Sequence, residues 1–201
     1  MENQSYESEL EDLSLTRIGE KLFTLRDYTP VPLIVLILFT AEPGAISATL
    51  GLTMIVCGEL FRIYSVAFIG KVSRTRNSET VGAGLISQGP YGWMRNPLYV
   101  GNFAISVGMA MFAGVTWVVV LTVLLFGFQY AAIVKYEESL LVKKFGDAYH
   151  KYRDEVPAWF PHRIPSLEQW QWPDSFSEAI ISEKRTLLAI LVMVLALLMT
   201  A

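Results

Sequence analysis

The chain has 201 residues, the size of one domain, and 53% of them are hydrophobic while 17% are charged. With a positive mean hydropathy and its apolar residues gathered in blocks, this is the composition of an integral membrane protein rather than a soluble one. A net charge of −3 argues against a general nucleic-acid binder; one cysteine (Cys57) and two well-separated histidines argue against a disulfide framework, a thiolate metal cluster or a structural zinc.

In chain order, Met1 to Glu20 is acidic and polar, the opposite of a cleavable signal peptide. It is expected to be disordered to about Leu13 and helical at the membrane surface from Leu13 to Leu25, so that residues 1–28 form a tail and interfacial helix and residues 29–201 the membrane domain. The first apolar block, Pro30 to Ala41, covers roughly 18 Å as helix, short of a hydrocarbon core of about 30 Å. A helix starting nearer Leu22, with Arg26 and Asp27 in the interface, would span; otherwise the turn Glu42-Pro43-Gly44 lies within the outer leaflet. The second block, Ala45 to Ile69, spans easily and carries Glu59 and Arg62 at i and i+3. These are either a structural ion pair with interfacial snorkelling or part of a site, since charges at this depth often serve function.

Residues 70–89 form a polar loop with Lys71, Arg74, Arg76 and the run Val81-Gly82-Ala83-Gly84. That run neither follows a strand nor opens a helix, so it fails as a dinucleotide fingerprint. A third span is expected from Pro97 to about Ala113 and a fourth from Val115 to about Val134, with Gly114 making a tight antiparallel hairpin. The fourth helix continues outward on the stripe Leu140, Leu141 and Phe145 and stops at Gly146. Asp147 to Pro165 reads as a short helix and surface loop, and Leu187 to Ala201 as a tilted or partial span. The fold class is all-α with about five membrane helices. All Lys and Arg fall before the first block, between Arg62 and Arg95, or between Lys135 and Arg185, and the turns at 42–44 and 113–115 carry none. The positive-inside rule then places the N-terminus, the 70–96 loop and the 135–186 segment in the cytoplasm.

The segment Gln88 to Asn102 has the densest chemistry. Asn96-Pro97 is a helix start in which Asn caps free N–H groups and Pro occupies a position needing no donor. Arg95 precedes it, and Tyr99 and Asn102 share one face within it. Because the hairpin runs out and back, Asn96 and Glu137-Glu138 become neighbours, giving a pocket with Arg95 and N–H groups on one wall and carboxylates on the other. Such a pocket suits a zwitterion, and Tyr149 and Tyr152 can offer it aromatic faces or phenols. The competing reading is a set of interfacial anchors.

These residues resemble a known family. Gly89-Pro90-Tyr91, Arg95-Asn96-Pro97-Leu98-Tyr99-Val100-Gly101, Glu137-Glu138 and Phe145-Gly146-x-x-Tyr149-x-x-Tyr152 are similar, in order, to motifs of the isoprenylcysteine carboxyl methyltransferase and phospholipid methyltransferase group, over residues 88–161. The group consists of integral membrane enzymes using S-adenosylmethionine. The resemblance implies methyl transfer to a lipid-like or prenylated acceptor, with a carboxyl or amine group, at the cytoplasmic face of a bacterial inner membrane. It implies that Arg95 and Glu138 carry catalysis and that Arg95 and the helix start at Asn96 bind the cofactor carboxylate. Glu138 or Glu137 would bind its ammonium; only one of two adjacent helical residues is expected to face the ligand directly. Gly89, Pro90, Tyr91, Tyr99, Gly101, Tyr149 and Tyr152 would complete the cofactor site, with no metal. One departure stands out: Asn96 replaces the family's His, so a proton-carrying role is lost while binding or capping survives. The alternatives are a sterol-reductase-like membrane enzyme using NADPH, which resembles the same motifs on a larger bundle, and a non-enzymatic membrane protein.

Overall fold

Among the described residues, two helices have the length and apolarity to cross a bilayer, Ala45–Ile69 (α3) and Thr116–Phe145 (α5). In the computed structural model, which describes residues 2–69, 84–163, 165–166, 170–173 and 176–200, they are joined by α1 (Glu2–Leu25), α2 (Val31–Thr40), α4 (Pro97–Phe112), α6 (Asp147–Glu155) and α7 (Phe176–Leu198). No strand occurs among the described residues. The loop arginines Arg74 and Arg76, and Val81 to Ala83, lie outside the described residues.

α3 and α4 pack antiparallel along a seam of glycines spaced seven apart. A Cβ on Gly51 would sit 2.5 Å from the Gly108 carbonyl oxygen, and one on Gly58 3.0 Å from that of Gly101. In reverse, Gly108 faces the Gly51 oxygen at 2.9 Å and Gly101 that of Gly58 at 3.0 Å. Seven residues are nearly two helical turns, so both glycines of each helix fall on one stripe and let the backbones touch. Inside, Ile37, Ile55, Met109, Phe112, Val118 and Leu197 form the main core. Outside, Leu50, Val56 and Leu60 of α3, Trp117, Leu124 and Phe128 of α5, and Leu188, Val192 and Leu195 of α7 are exposed. A bundle whose outer surface is this apolar belongs in a membrane.

Gly114, with φ 79°, makes the α4–α5 turn, and the Glu42 N–H donates to the Ala113 carbonyl at 2.8 Å, tying the α2–α3 turn to it. α5 ends at Gly146, φ 52°, whose N–H bonds the Val142 carbonyl, and Lys143 and Lys144 in its last turn oppose the negative end of the helix dipole. α1 lies along α5, Phe23 meeting Tyr136 with ring centroids 5.6 Å apart.

Three expectations change. The N-terminal segment is helical from Glu2 rather than disordered to Leu13. The first apolar block does not extend back to Leu22: residues 26–30 turn the chain between α1 and α2, leaving α2 ten residues long. Leu25 and Tyr28 carbonyls accept from Thr29 and Val31 in that turn, and Pro30 has no N–H with which to continue a helix. The last apolar block is the end of a longer helix begun at Phe176, because its polar residues lie on faces that the bundle or solvent accepts.

Candidate functional site

The motif segment is held by the chain that follows α6. Gly89 takes φ 55° and opens a 3₁₀ turn, Gly89–Gly92. The backbone N–H of Arg95 donates to Pro157 O at 2.8 Å and that of Asn96 to Ala158 O at 3.2 Å. The Asn96 side chain adds Nδ2 to Ala158 O at 3.0 Å, and the Tyr152 hydroxyl donates to Tyr91 O at 2.7 Å. Asn96 therefore stands at the N-cap position of α4 without capping it: its side chain makes no hydrogen bond to the helix. The amide is spent on Ala158 instead, a correction to the capping role expected of it.

Arg95 is the hub. Its Nε and Nη2 both reach Glu138 Oε1, at 2.9 and 2.7 Å, and its Nη1 reaches the carbonyls of Arg153 (3.1 Å) and Val156 (2.6 Å). Those carbonyls belong to the end of α6, where free acceptors and the negative dipole end favour a cation. Beside this, Tyr99 donates to Glu137 Oε2 at 2.8 Å and packs on Tyr130, centroids 4.6 Å apart. Deeper, Arg62 of α3 donates to Asn102 Oδ1 of α4 and to Glu183 Oε2 of α7, the latter at 2.5 Å, with Glu59 at 3.5 Å. The Glu59–Arg62 pair is therefore part of a four-residue cluster.

Arg62, Arg95, Tyr99, Asn102, Tyr130, Glu137 and Glu183 line a cavity of about 740 Å³, within the range of small-molecule sites. Its mouth carries Arg26, Arg95, Asn96, Tyr99, Glu137 and Tyr152. Arg62, Asn102, Tyr130 and Glu183 form a polar waist. Beyond it the walls are apolar: Leu33 and Ile37 of α2, Ile105 and Met109 of α4, Ile190 and Met193 of α7.

Of the residues expected in the site, Tyr91, Arg95, Asn96, Tyr99, Glu137 and Tyr152 line the cavity, and Gly89, Pro90, Gly101, Glu138 and Tyr149 do not. Glu137 rather than Glu138 faces the space, since Glu138 turns to Arg95. Gly89 lies against the Phe68 ring and its N–H donates to Gln171 Oε1 at 2.7 Å; Gly101 belongs to the α3–α4 seam. Tyr149 is buried beneath the mouth, and burial, with Glu138 beside it, holds its phenol well above the ordinary range. Burial raises Tyr152 likewise, against the opposing pull of Arg95. Sequence reasoning missed Tyr130 and Glu183. Tyr130 had a signal, two helical turns before Glu137 on the same face; Glu183 had none, lying in a polar stretch far from the motifs.

The described residues are all-helical or irregular, with an apolar outer surface and a cavity that runs from charged and polar residues to an apolar end. The chain belongs to the phospholipid methyltransferase family, whose pattern it matches over residues 46–148, half its length. That match covers α3, α4 and α5, and leaves α2 and α7 outside. Among curated relatives, it is 34% identical to the nickel-cobalt-cadmium resistance protein NccN of Alcaligenes xylosoxydans xylosoxydans, over 56% of this chain and 47% of that one. It is 33% identical to the protein-S-isoprenylcysteine O-methyltransferase of Schizosaccharomyces pombe, over 45% and 37%. It is 31% identical to protein-S-isoprenylcysteine O-methyltransferase B of Arabidopsis thaliana, over 55% and 57%. The chain spans about half the length of the curated relatives it matches.

Proposed function

We propose that the protein is a membrane methyltransferase that uses S-adenosylmethionine to methylate a carboxyl or amine group on a lipid-like acceptor. The observation that carries this is the cavity, whose polar and charged part is continuous with an apolar slot, in a member of this family. The mouth suits the cofactor's amino-acid end, because an anion-accepting and a cation-accepting group face the same space. Glu137, steadied by Tyr99, takes the ammonium. The outer edge of Arg95 and the Leu98 N–H in the first turn of α4 take the carboxylate. Glu138 is a positioning residue that holds the guanidinium, and Tyr149 supports Tyr152 beneath the nucleoside end. When bound, S-adenosylmethionine supplies a methyl group already activated on sulfur, for in-line transfer to the acceptor's oxygen or nitrogen.

The protein's part is to align the two partners and exclude water. Asn96 carries no proton near neutral pH, so it contributes shape and the tie to Ala158 rather than acid–base chemistry. With α2, α3, α4, α5 and α7 as five membrane helices, the positive-inside rule sets the mouth at the cytoplasmic face of a bacterial inner membrane. The apolar slot then opens towards the bilayer, the source of the acceptor.

The test is calorimetry on the purified protein in detergent. S-adenosylmethionine binds, and Arg95→Ala and Glu137→Ala each weaken it at least tenfold. Binding of NADPH in its place would refute the assignment, and so would failure of labelled S-adenosylmethionine to pass its methyl group to any component of native membranes.

A further inference from the structure

Arg26 lines the same cavity as Glu137 but comes from the turn between α1 and α2, outside residues 46–148 that match the family. Its place is set by how α1 docks on α5. Gly19 is buried against that helix: a Cβ there would run into the Ala132 carbonyl and stand 2.9 Å from the Tyr136 Cβ. One turn on, Phe23 meets the Tyr136 ring, and the Arg26 guanidinium lies over the face of Phe23, 3.9 Å from its centroid. Spacings of four and then three keep Gly19, Phe23 and Arg26 on one side of the chain, so the contact that seats α1 also delivers Arg26 to the cavity.

Among the described residues three arginines line the cavity, and two are spent on the protein itself. Arg95 gives its donors to Glu138 and to the Arg153 and Val156 carbonyls, and Arg62 gives Nη1 to Asn102 and Nη2 to Glu183. The Arg26 guanidinium has a ring beneath it and, among the described residues, no hydrogen-bond acceptor. Stacking on Phe23 uses its face and leaves the in-plane N–H groups for a ligand. Its neighbour Asp27 also lines the cavity and is engaged by another partner. Arg26 and Glu137 form no ion pair with each other, yet the Arg26 charge acts on Glu137 and on Tyr99 and Tyr130 beside it. Two opposite charges that face one cavity without meeting leave room for a ligand that carries both. An arginine serving only as a headgroup anchor would face the membrane surface instead.

We propose that Arg26 binds the carboxylate of the zwitterionic ligand whose ammonium Glu137 takes, and so makes the site select a ligand with an intact amino-acid end. This rests on the methyl-transfer reading, in which that ligand is S-adenosylmethionine, and adds to it a binding residue carried by a helix outside the family match. Arg95 meets the carboxylate with a charge already answered by Glu138; Arg26 brings one that no ion pair has met. A guanidinium fork on a carboxylate is a charge-assisted contact, stronger than a neutral hydrogen bond. α1 is then part of the site: its docking on α5 fixes where the selecting cation stands.

The experiment is calorimetry on the full-length protein in detergent, comparing S-adenosylmethionine with its decarboxylated form, which keeps the nucleoside, the sulfonium and the ammonium. The wild type is expected to bind the intact form about tenfold or more tightly than the decarboxylated one. In Arg26→Gln that ratio should fall to about threefold or less, through weaker binding of the intact form alone. Arg26→Lys, which keeps the charge without the fork, should give a ratio between the two, and the exposed control Arg17→Gln should match the wild type. Equal binding of both forms by the wild type overturns the proposal. So does a ratio that Arg26→Gln leaves unchanged, whether both affinities stay or both fall alike, as they would for a residue with a merely structural role. Where Arg26→Gln fails to fold, Arg26→Lys decides in the same way. A wild type that binds neither form refutes the methyltransferase reading, and the role of Arg26 with it; an unchanged ratio in Arg26→Gln leaves that reading standing and removes Arg26 alone.

Discussion

Replacing Glu138 by glutamine removes the charge that Arg95 leans on and leaves the rest of its surroundings in place. Both side chains are largely out of water, at 12% and 18% exposure, and two guanidinium nitrogens converge on one carboxylate oxygen within 2.9 Å. Breaking a fully buried ion pair costs about 3–5 kcal/mol, and hydrogen bonds to charged groups contribute about 1.5–3 kcal/mol. Arg95 keeps the Arg153 and Val156 carbonyls, so the expected loss is about 2–3 kcal/mol by the same reasoning. For a chain of this length that corresponds to a fall in Tm of roughly 4–12 °C. The assay is a double-mutant cycle in thermal unfolding with Arg95→Met, Glu138→Gln and the double variant. The coupling should be about 2 kcal/mol, whereas the exposed pair Lys151–Glu155, 4.0 Å apart, should show under about 0.5 kcal/mol. A coupling at Arg95–Glu138 as small as at the exposed pair would refute the hub. The same cycle read as S-adenosylmethionine affinity should be strongly non-additive, because Glu138 acts through Arg95.

Four further outcomes follow from the geometry. Gly108→Val forces a side chain into the α3–α4 seam and should destabilise the fold by about 2–3 kcal/mol or more, while Gly127→Ala, facing open space, should be neutral or slightly stabilising in the same melt. Since burial keeps Tyr149 and Tyr152 protonated above the ordinary phenol range, unfolding releases protons at high pH. Their contribution is complete below about pH 10 and declines as the pH rises past it; Tyr149→Phe should flatten that decline, and an unchanged pH profile would count against it. Asn96→His should change S-adenosylmethionine affinity less than about threefold if the amide's task is its bond to Ala158, since an imidazole N–H can also donate; abolished binding would show a larger role. With Cys57 replaced by serine, a cysteine at Glu42 should label from outside the cell and one at Lys151 should not, and the reverse would overturn the cytoplasmic mouth.

The Asn96-Pro97 helix start, the Gly114 turn and the Gly146 stop were legible because each depends on a few adjacent residues: a missing N–H, or a backbone conformation that glycine adopts freely. The neighbourhood of Arg95 with Glu138 and Tyr99 with Glu137 was legible too, since a one-turn hairpin leaves two helices little freedom in where their far ends meet. Helical periodicity could say that Glu137 and Glu138 point apart, but not which of them meets a cation and which meets the cavity. Three features rest on what lies opposite in space: Glu138 turning to Arg95, the Asn96 amide reaching Ala158, and Glu183 crossing to Arg62 from 121 positions away. The glycine seam is similar, for a glycine in an apolar helix reads as a weak point until another backbone is seen against it. Local chemistry determined α3, α4 and α5, the ends at Gly114 and Gly146 and the motif's two walls, but not the bounds of α1, α2 and α7. Only the packing of α2 and α7, which share no motif with the rest, decided that those walls open into an apolar slot with a charged waist.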